Sequence, residues 1–355
     1  MTAMRKKILL LIFILGAAIF NCSEKTYSPY SGATRAVTAL DGNKAEIPSY
    51  PQRIACFYNP AYDKIVMLSK GSRIALMPLE VSPWARKFYP ELAGIPVNSS
   101  RGIPDVERLL RLHVDLVFYP KGRSNMDNVT EAGIVALCPF NDKYFPSTID
   151  EYTVEFKRQI MFFSDVLGSE TAPRAEKYCR YLEEITSRVR SITSGIPESD
   201  KPRVYYGKLN DICSTQGNNT IMRWYTEAAG GIYLSKNFDK YFAVAGMEQV
   251  LAWDPDIILL GMYGSFDAVT STRGLDNFRA YKKGNVFKVP TGIFCWDMTS
   301  CETALLPLFL GKKFHPGLYK NWDIVKEMKK FYIEIYGIKI TDNDAKRILE
   351  GLPPL

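Results

Sequence analysis

The chain has 355 residues, 46% of them hydrophobic and 23% charged, which is ordinary for a globular protein and long enough for two domains with separate cores. Its net charge of +7 is mild, three of the cations (Arg5, Lys6, Lys7) sit in a leader-like segment, and no basic run follows, which argues against a nucleic-acid partner. Only two histidines, His113 and His315, are present, which argues against a free zinc or manganese binder, a class that needs several imidazoles with a carboxylate.

Residues 1–22 read as an export signal. A basic start precedes an apolar run over residues 8–20, too short for a comfortable membrane span. Cys22 follows directly, and the segment resembles a bacterial lipoprotein signal in which this cysteine becomes the lipidated N-terminus, although Asn21 stands where Gly, Ala or Ser is usual; an uncleaved anchor is the alternative. Residues 23–36 are polar and small and read as a tether. Residues 37–150 then form a first α/β lobe. Within it residues 107–118 run from Glu107 through a short helix to Asp115 and a wholly apolar strand, the mark of a parallel strand covered on both faces. Residues 129–133 and 134–138 predict a further helix and strand.

Residues 151–194 are helical. The apolar positions Ala172, Ala175, Tyr178, Leu182, Ile185, Val189 and Ile192 recur at helical spacing, with charges between them, and predict one long helix over 171–194 capped by Thr171 and stopped by Gly195 and Pro197. Residues 195–355 form a second α/β lobe with terminal helices, and its residues 248–260 repeat the first unit: Glu248 lies eight residues before Asp256, as Glu107 does before Asp115. The fold class expected is therefore α/β: two lobes, each a mostly parallel sheet flanked by helices, joined by one long connecting helix. Six cysteines follow the leader without a CxxC pair; Cys56 and Cys138 read as buried thiols, and a Cys295–Cys301 bridge is left open.

Open parallel sheets bind ligands outside the carboxyl ends of their strands, which selects particular loops. In lobe one these carry Tyr58, Trp84, Arg86, Arg101, Lys121 and Arg123. Trp84 with Arg86 suits an anionic macrocycle or catecholate, or else a local core with a surface cation. The other cations are singly solvated charges or together an anion-binding rim. In lobe two the loops carry Gln216, Arg223, Tyr263, Trp296 and Asp297. Tyr263 and Trp296 are candidates for stacking, Asp297 for a cationic group or a helix cap, and Asn218 or Asn219 for capping the helix over 221–229.

Residues 37–48 with Pro51-Gln52-Arg53-Ile54, the two Glu-to-Asp units, residues 285–290 and residues 308–316 together resemble the helical-backbone (class III) solute-binding proteins of iron-siderophore, haem and cobalamin ABC importers. The resemblance implies two lobes on one rigid helix with the ligand between them, a permease partner docked through Glu107 and Glu248, a lipid-anchored extracytoplasmic monomer, and no cofactor beyond the cargo. That cargo is expected to be an iron chelate such as a ferric siderophore, with haem (Tyr58, Tyr263 or Met262 as axial ligand) or a corrinoid as alternatives. An enzyme related to nitrogenase-like reductases or chelatases is the competing class. The sequence lacks the cysteine-bound cluster, the His-centred site and the GxSxG, Walker and GxGxxG motifs that such chemistry uses.

Overall fold

The apolar runs become the central strands of two parallel sheets. The computed structural model describes residues 32–98, 105–121, 125–141, 144–208, 211–261 and 275–355. In the first lobe β1 (Thr34–Thr38) and β2 (Lys44–Pro48) form an antiparallel hairpin, so part of the segment read as a tether is strand. Then β3 (Ile54–Cys56), β4 (Ile74–Leu76), β5 (Leu116–Phe118) and β6 (Val135–Leu137) form a parallel sheet in the order β4-β3-β5-β6. In the second lobe β7 (Arg203–Lys208), β8 (Ser214–Gln216), β9 (Ile232–Tyr233), β10 (Phe242–Val244), β11 (Ile257–Gly261) and β12 (Val286–Lys288) follow. Four of them make a parallel sheet in the order β12-β11-β7-β9, while β8 and β10 pair antiparallel. Every residue of β5 and β11 is buried, as strands covered by helices on both faces require.

The Glu-to-Asp repeat has a structural reason. Before β5, the Asp115 carboxylate accepts from the backbone N–H groups of Gln52 (2.8 Å) and Arg53 (3.1 Å) at the entry to β3. Before β11, Asp256 accepts from the Arg203 N–H (2.9 Å) at the entry to β7. The match continues outward. The Arg53 side chain donates to the Leu112 carbonyl and that of Arg203 to the Trp253 carbonyl, each the fifth residue after the repeat glutamate. The sixth residue, His113 or Asp254, takes a left-handed backbone (φ 53° and 40°) that turns helix into strand. Both lobes thus tie the entry of one strand to the helix leading into its neighbour.

The connector forms as Ala172–Thr193. Ala175, Tyr178, Leu182, Ile185 and Val189 of the predicted stripe are buried, and Ala172 and Ile192 are half-buried. The Thr171 side chain does not cap it; its hydroxyl bonds the Ser164 and Gly168 carbonyls in the tight turn from the preceding helix, Ile149–Leu167. The ion pairs Arg190–Asp150 and Lys157–Glu183 lock the two helices antiparallel. At one end of the connector, the Arg174 guanidinium bonds the Met67 carbonyl of lobe one (3.4 Å); at the other, the Thr193 hydroxyl bonds the Ala228 carbonyl of lobe two (2.8 Å). Its 22 residues span roughly 33 Å at 1.5 Å per residue.

The tail folds as the 3₁₀ turn Cys301–Leu305 running into the helix Leu306–Phe314, then the helix Ile324–Phe331 continued by a π-helical turn, Tyr332–Tyr336, and the helix Asp342–Leu349, capped by Thr341 as expected. Its end returns to lobe one: the Trp84 indole N–H donates to the Leu352 carbonyl (2.8 Å) and Lys87 pairs with Asp344 (2.8 Å). Cys295 and Cys301 are buried thiols, not joined to each other.

Candidate functional site

Where the two sheets present their strand ends, loops from both lobes and the start of the Ile149–Leu167 helix meet. Tyr58 leaves β3 half-buried and packs against Phe140, which follows β6 (ring centroids 5.4 Å). Tyr152, in the first turn of the Ile149–Leu167 helix, stacks on Trp224 (4.9 Å) and meets Tyr225 edge-on (5.9 Å). Both belong to the Ile221–Ala228 helix of lobe two, which Thr220 caps in place of Asn218 or Asn219. The phenols of Tyr225, Tyr58 and Tyr241 lie near Tyr152; with burial as the main cause, they push its hydroxyl well above its ordinary range. The result is a largely buried aromatic cluster contributed by lobe one, the crossover helix and lobe two.

The residues predicted from sequence fall into distinct groups. Trp84 (1% exposed) and Trp296 (0%) are core side chains, one stacked on Phe88 and the other against Phe309. Neither presents a ring face at the junction: Trp84, expected in a loop, lies in the first turn of the helix Pro83–Phe88, and both it and Trp296, in the turn after β12, face inward. Arg86 is exposed and paired with Glu80 (3.3 Å), and Lys121 pairs with the buried Asp41 (3.2 Å). Arg223 bonds Glu227 (3.0 Å) and the Asn218 side-chain oxygen, so its charge is partly answered within its own helix and loop. Arg101, Arg123 and Tyr263, like Met262 and Cys22, lie outside the described residues.

Gln216 and Asp297 are buried and do meet, but as supports for the loop after β12. The Tyr206 hydroxyl donates to Asp297 (2.7 Å), and the Gln216 amide donates to the Asp297 carbonyl (3.3 Å). Burial first, and Asp297 second, push the Tyr206 hydroxyl far up, so it remains a donor. A Cβ at Gly261 would strike Asp297 and Tyr206, which is why β11 ends on glycine. Glu107 and Glu248 are both exposed, each in the first turn of its repeat helix, Val106–Arg111 and Met247–Trp253, where the macrodipole favours an acid.

Sequence reasoning missed the polar atoms of this cluster. Among the described residues the Tyr152 hydroxyl, the Tyr225 hydroxyl and the Trp224 indole N–H are buried without a hydrogen-bond partner, and the Gln216 side-chain oxygen shares that state. Buried polar groups are paired in the great majority of cases, and these three unanswered donors lie on three adjacent aromatic side chains. Tyr152 and Tyr225 occupy positions whose helical spacing marks them only as core. No sequence signal separates a core tyrosine from one whose hydroxyl awaits an acceptor. Chemically, the group can donate to an anion; among the described residues no three His, Cys, Asp or Glu side chains gather to bind a metal ion directly.

Comparison with known proteins gives this arrangement its class. A model of the periplasmic binding protein family matches residues 54–291, and the chain belongs to that family. Its two parallel-sheet lobes on one long helix are the helical-backbone fold of such proteins, which deliver small-molecule ligands to the permeases of ABC importers. The molybdate-binding protein MolA of Haemophilus influenzae is 22% identical over 361 residues, covering 94% of this chain and 99% of its own. A cobalamin-binding protein of Halobacterium salinarum is 34% identical over 118 residues, covering 30% of this chain and 31% of its own. Among solved structures, MolA bound to molybdate has a TM-score of 0.75 at 20% identity, covering 86% of this chain and 99% of that one. A periplasmic solute-binding protein of Veillonella parvula has a TM-score of 0.72 at 22% identity, with 89% and 97% covered.

Proposed function

We propose that this protein captures a small metal oxyanion of the molybdate kind at the lobe junction and hands it to an ABC permease, held at a membrane by lipid on Cys22. The observation that carries the ligand reading is the set of unanswered donors, Tyr152, Tyr225 and Trp224. An oxyanion accepts several hydrogen bonds at once, and charge-assisted bonds to fixed donors are about twice as strong as neutral ones. The ligand class moves from the large chelate expected above to a small anion because Trp84 and Trp296, the two indoles expected to stack on a macrocycle, are inside the cores. MolA, which resembles the chain along almost its whole length, binds molybdate; the cobalamin-binding relative matches less than a third of it. A ferric chelate is the second reading, favoured by half-buried Tyr58, whose phenol is a hard oxygen donor beside the aromatic cluster.

A calorimetric titration of residues 23–355 with molybdate, tungstate, a ferric catecholate, haemin and cobinamide decides between them. Micromolar or tighter binding of molybdate and tungstate alone supports the first reading. Saturable binding of the catecholate or haemin with no heat from molybdate replaces it with the second.

A further inference from the structure

Tyr62, Asp63 and Lys64 are three successive residues of the helix Ala61–Met67, which begins just past Tyr58. All three are fully buried, and all three bond to one stretch of lobe two. The Tyr62 hydroxyl donates to the Ile293 carbonyl (2.6 Å). Asp63 accepts from the Cys301 N–H (2.6 Å), an orphan donor at the head of the 3₁₀ turn and helix that follow, and from the Tyr336 hydroxyl (2.6 Å). The Lys64 ammonium donates to the Thr299 carbonyl (2.5 Å) and lies 5.0 Å from the centre of the Phe156 ring. From a neighbouring turn of lobe one, the Ser82 hydroxyl donates to the Gly292 carbonyl (2.6 Å). The same stretch is held from lobe two by Tyr206 and Gln216 at Asp297, and from the tail by Glu302, which accepts from the Phe294 N–H (2.8 Å) and the Tyr332 hydroxyl.

Such a seam differs from a lubricated hinge. Tyr62, Asp63 and Lys64 are hidden from water and hydrogen-bonded across the seam, with Ser82 half-buried beside them, so sliding one lobe past the other would leave buried side chains and carbonyls without partners, at a cost set by desolvation. A lone helix between lobes resists bending but leaves twist and tilt to whatever packs beside it. We infer that Tyr62, Asp63, Lys64 and Ser82 form an interlobe lock on residues 292–301, and that this lock, more than the connector helix, fixes the angle between the lobes. They are positioning residues: in the reading proposed above, on which this consequence for binding rests, they hold the donors of lobe two opposite Tyr58 and Tyr152 before any solute arrives.

The test is an interlobe distance distribution from spin labels at Glu131→Cys and Lys282→Cys, exposed sites in opposite lobes, in a Cys213→Ser background because Cys213 is the half-exposed thiol. The lock predicts one narrow distance in ligand-free protein, unmoved by saturating molybdate. It predicts a broad or shifted distribution in Tyr62→Phe/Lys64→Met/Ser82→Ala; should that variant fail to fold, Tyr62→Phe/Ser82→Ala, which leaves every charge in place, gives a smaller broadening. If the lock's release leaves a tenth of molecules competent, molybdate affinity falls about tenfold. A broad distribution in the unmutated chain, or a folded variant with an unchanged one, overturns the inference. The ligand-free measurement stands even if molybdate does not bind, so failure of the lock and failure of the ligand reading are separable.

Discussion

Tyr152 carries two opposed consequences of one buried hydroxyl. Without an acceptor, the group costs the ligand-free fold the desolvation of its O–H, typically about 1–3 kcal/mol. Tyr152→Phe should therefore raise the urea midpoint of the ligand-free protein while weakening the oxyanion by one charge-assisted bond, about 1.5–3 kcal/mol or roughly 10- to 100-fold in Kd. A hydroxyl with only a packing role would give no loss of affinity. Glu302 makes a separate prediction. Burial first, and the neighbouring Asp63 second, push its carboxyl up to about 8 from an ordinary 4.5. The folded chain thus keeps a proton that the unfolded chain has released across that window, and stability falls as pH rises from 4.5 through 8. Glu302→Gln retains an acceptor for the Phe294 N–H and removes the titration. The slope of urea midpoint against pH should flatten in this variant; an unaltered slope would show that Glu302 is not its source.

At the scale of elements, the repeat was legible in the sequence because its spacing is imposed by backbone geometry. Glu-to-Asp separations of eight survive in both lobes because the acid at the end must reach the N–H groups of the neighbouring strand. Asp115→Ala should cost about 1–3 kcal/mol, by leaving those two donors unanswered, readable by denaturant melting. The connector was legible for a similar reason, its stripe being one face of a 3.6-residue period. Other features were not. Trp296 sits in a loop after a strand, and loop sequence does not say which way a side chain turns; Trp84, expected in a loop, starts the helix Pro83–Phe88, and the structure turns both inward. Arg86, Lys121 and Arg223 were visible as cations, but not the acids Glu80, Asp41 and Glu227 that answer them. The repeat glutamates remain exposed in first turns and are proposed to dock the permease, where exposed pairs govern orientation and on-rate. Glu107→Lys/Glu248→Lys should abolish uptake in cells with solute affinity unchanged in vitro. Uptake at the normal rate would remove that role.

For the molecule as a whole, three structures among the described residues cross between the lobes: the two-helix hairpin ending in the connector, the seam at residues 292–301, and the tail, whose last helix returns to Lys87 and whose Leu352 carbonyl reaches Trp84. Together they tie the two lobes to each other at separate places, which fits the proposed capture of a small anion without a wide swing of the halves. No helix among the described residues is long and apolar enough to cross a membrane. The lipoprotein-like leader is the basis for the proposal that attachment rests on Cys22, and Cys22→Ser should move the protein from the membrane fraction to the soluble one. The central claim is that buried donors at the lobe junction hold a metal oxyanion. Its most direct test is calorimetry of molybdate with the native chain beside Tyr152→Phe/Tyr225→Phe. The account predicts a one-to-one complex in the native chain and a loss of at least about 100-fold in the double variant, from two charge-assisted bonds, with the fold intact. Equal affinity in the two proteins, or no complex with either, would contradict it.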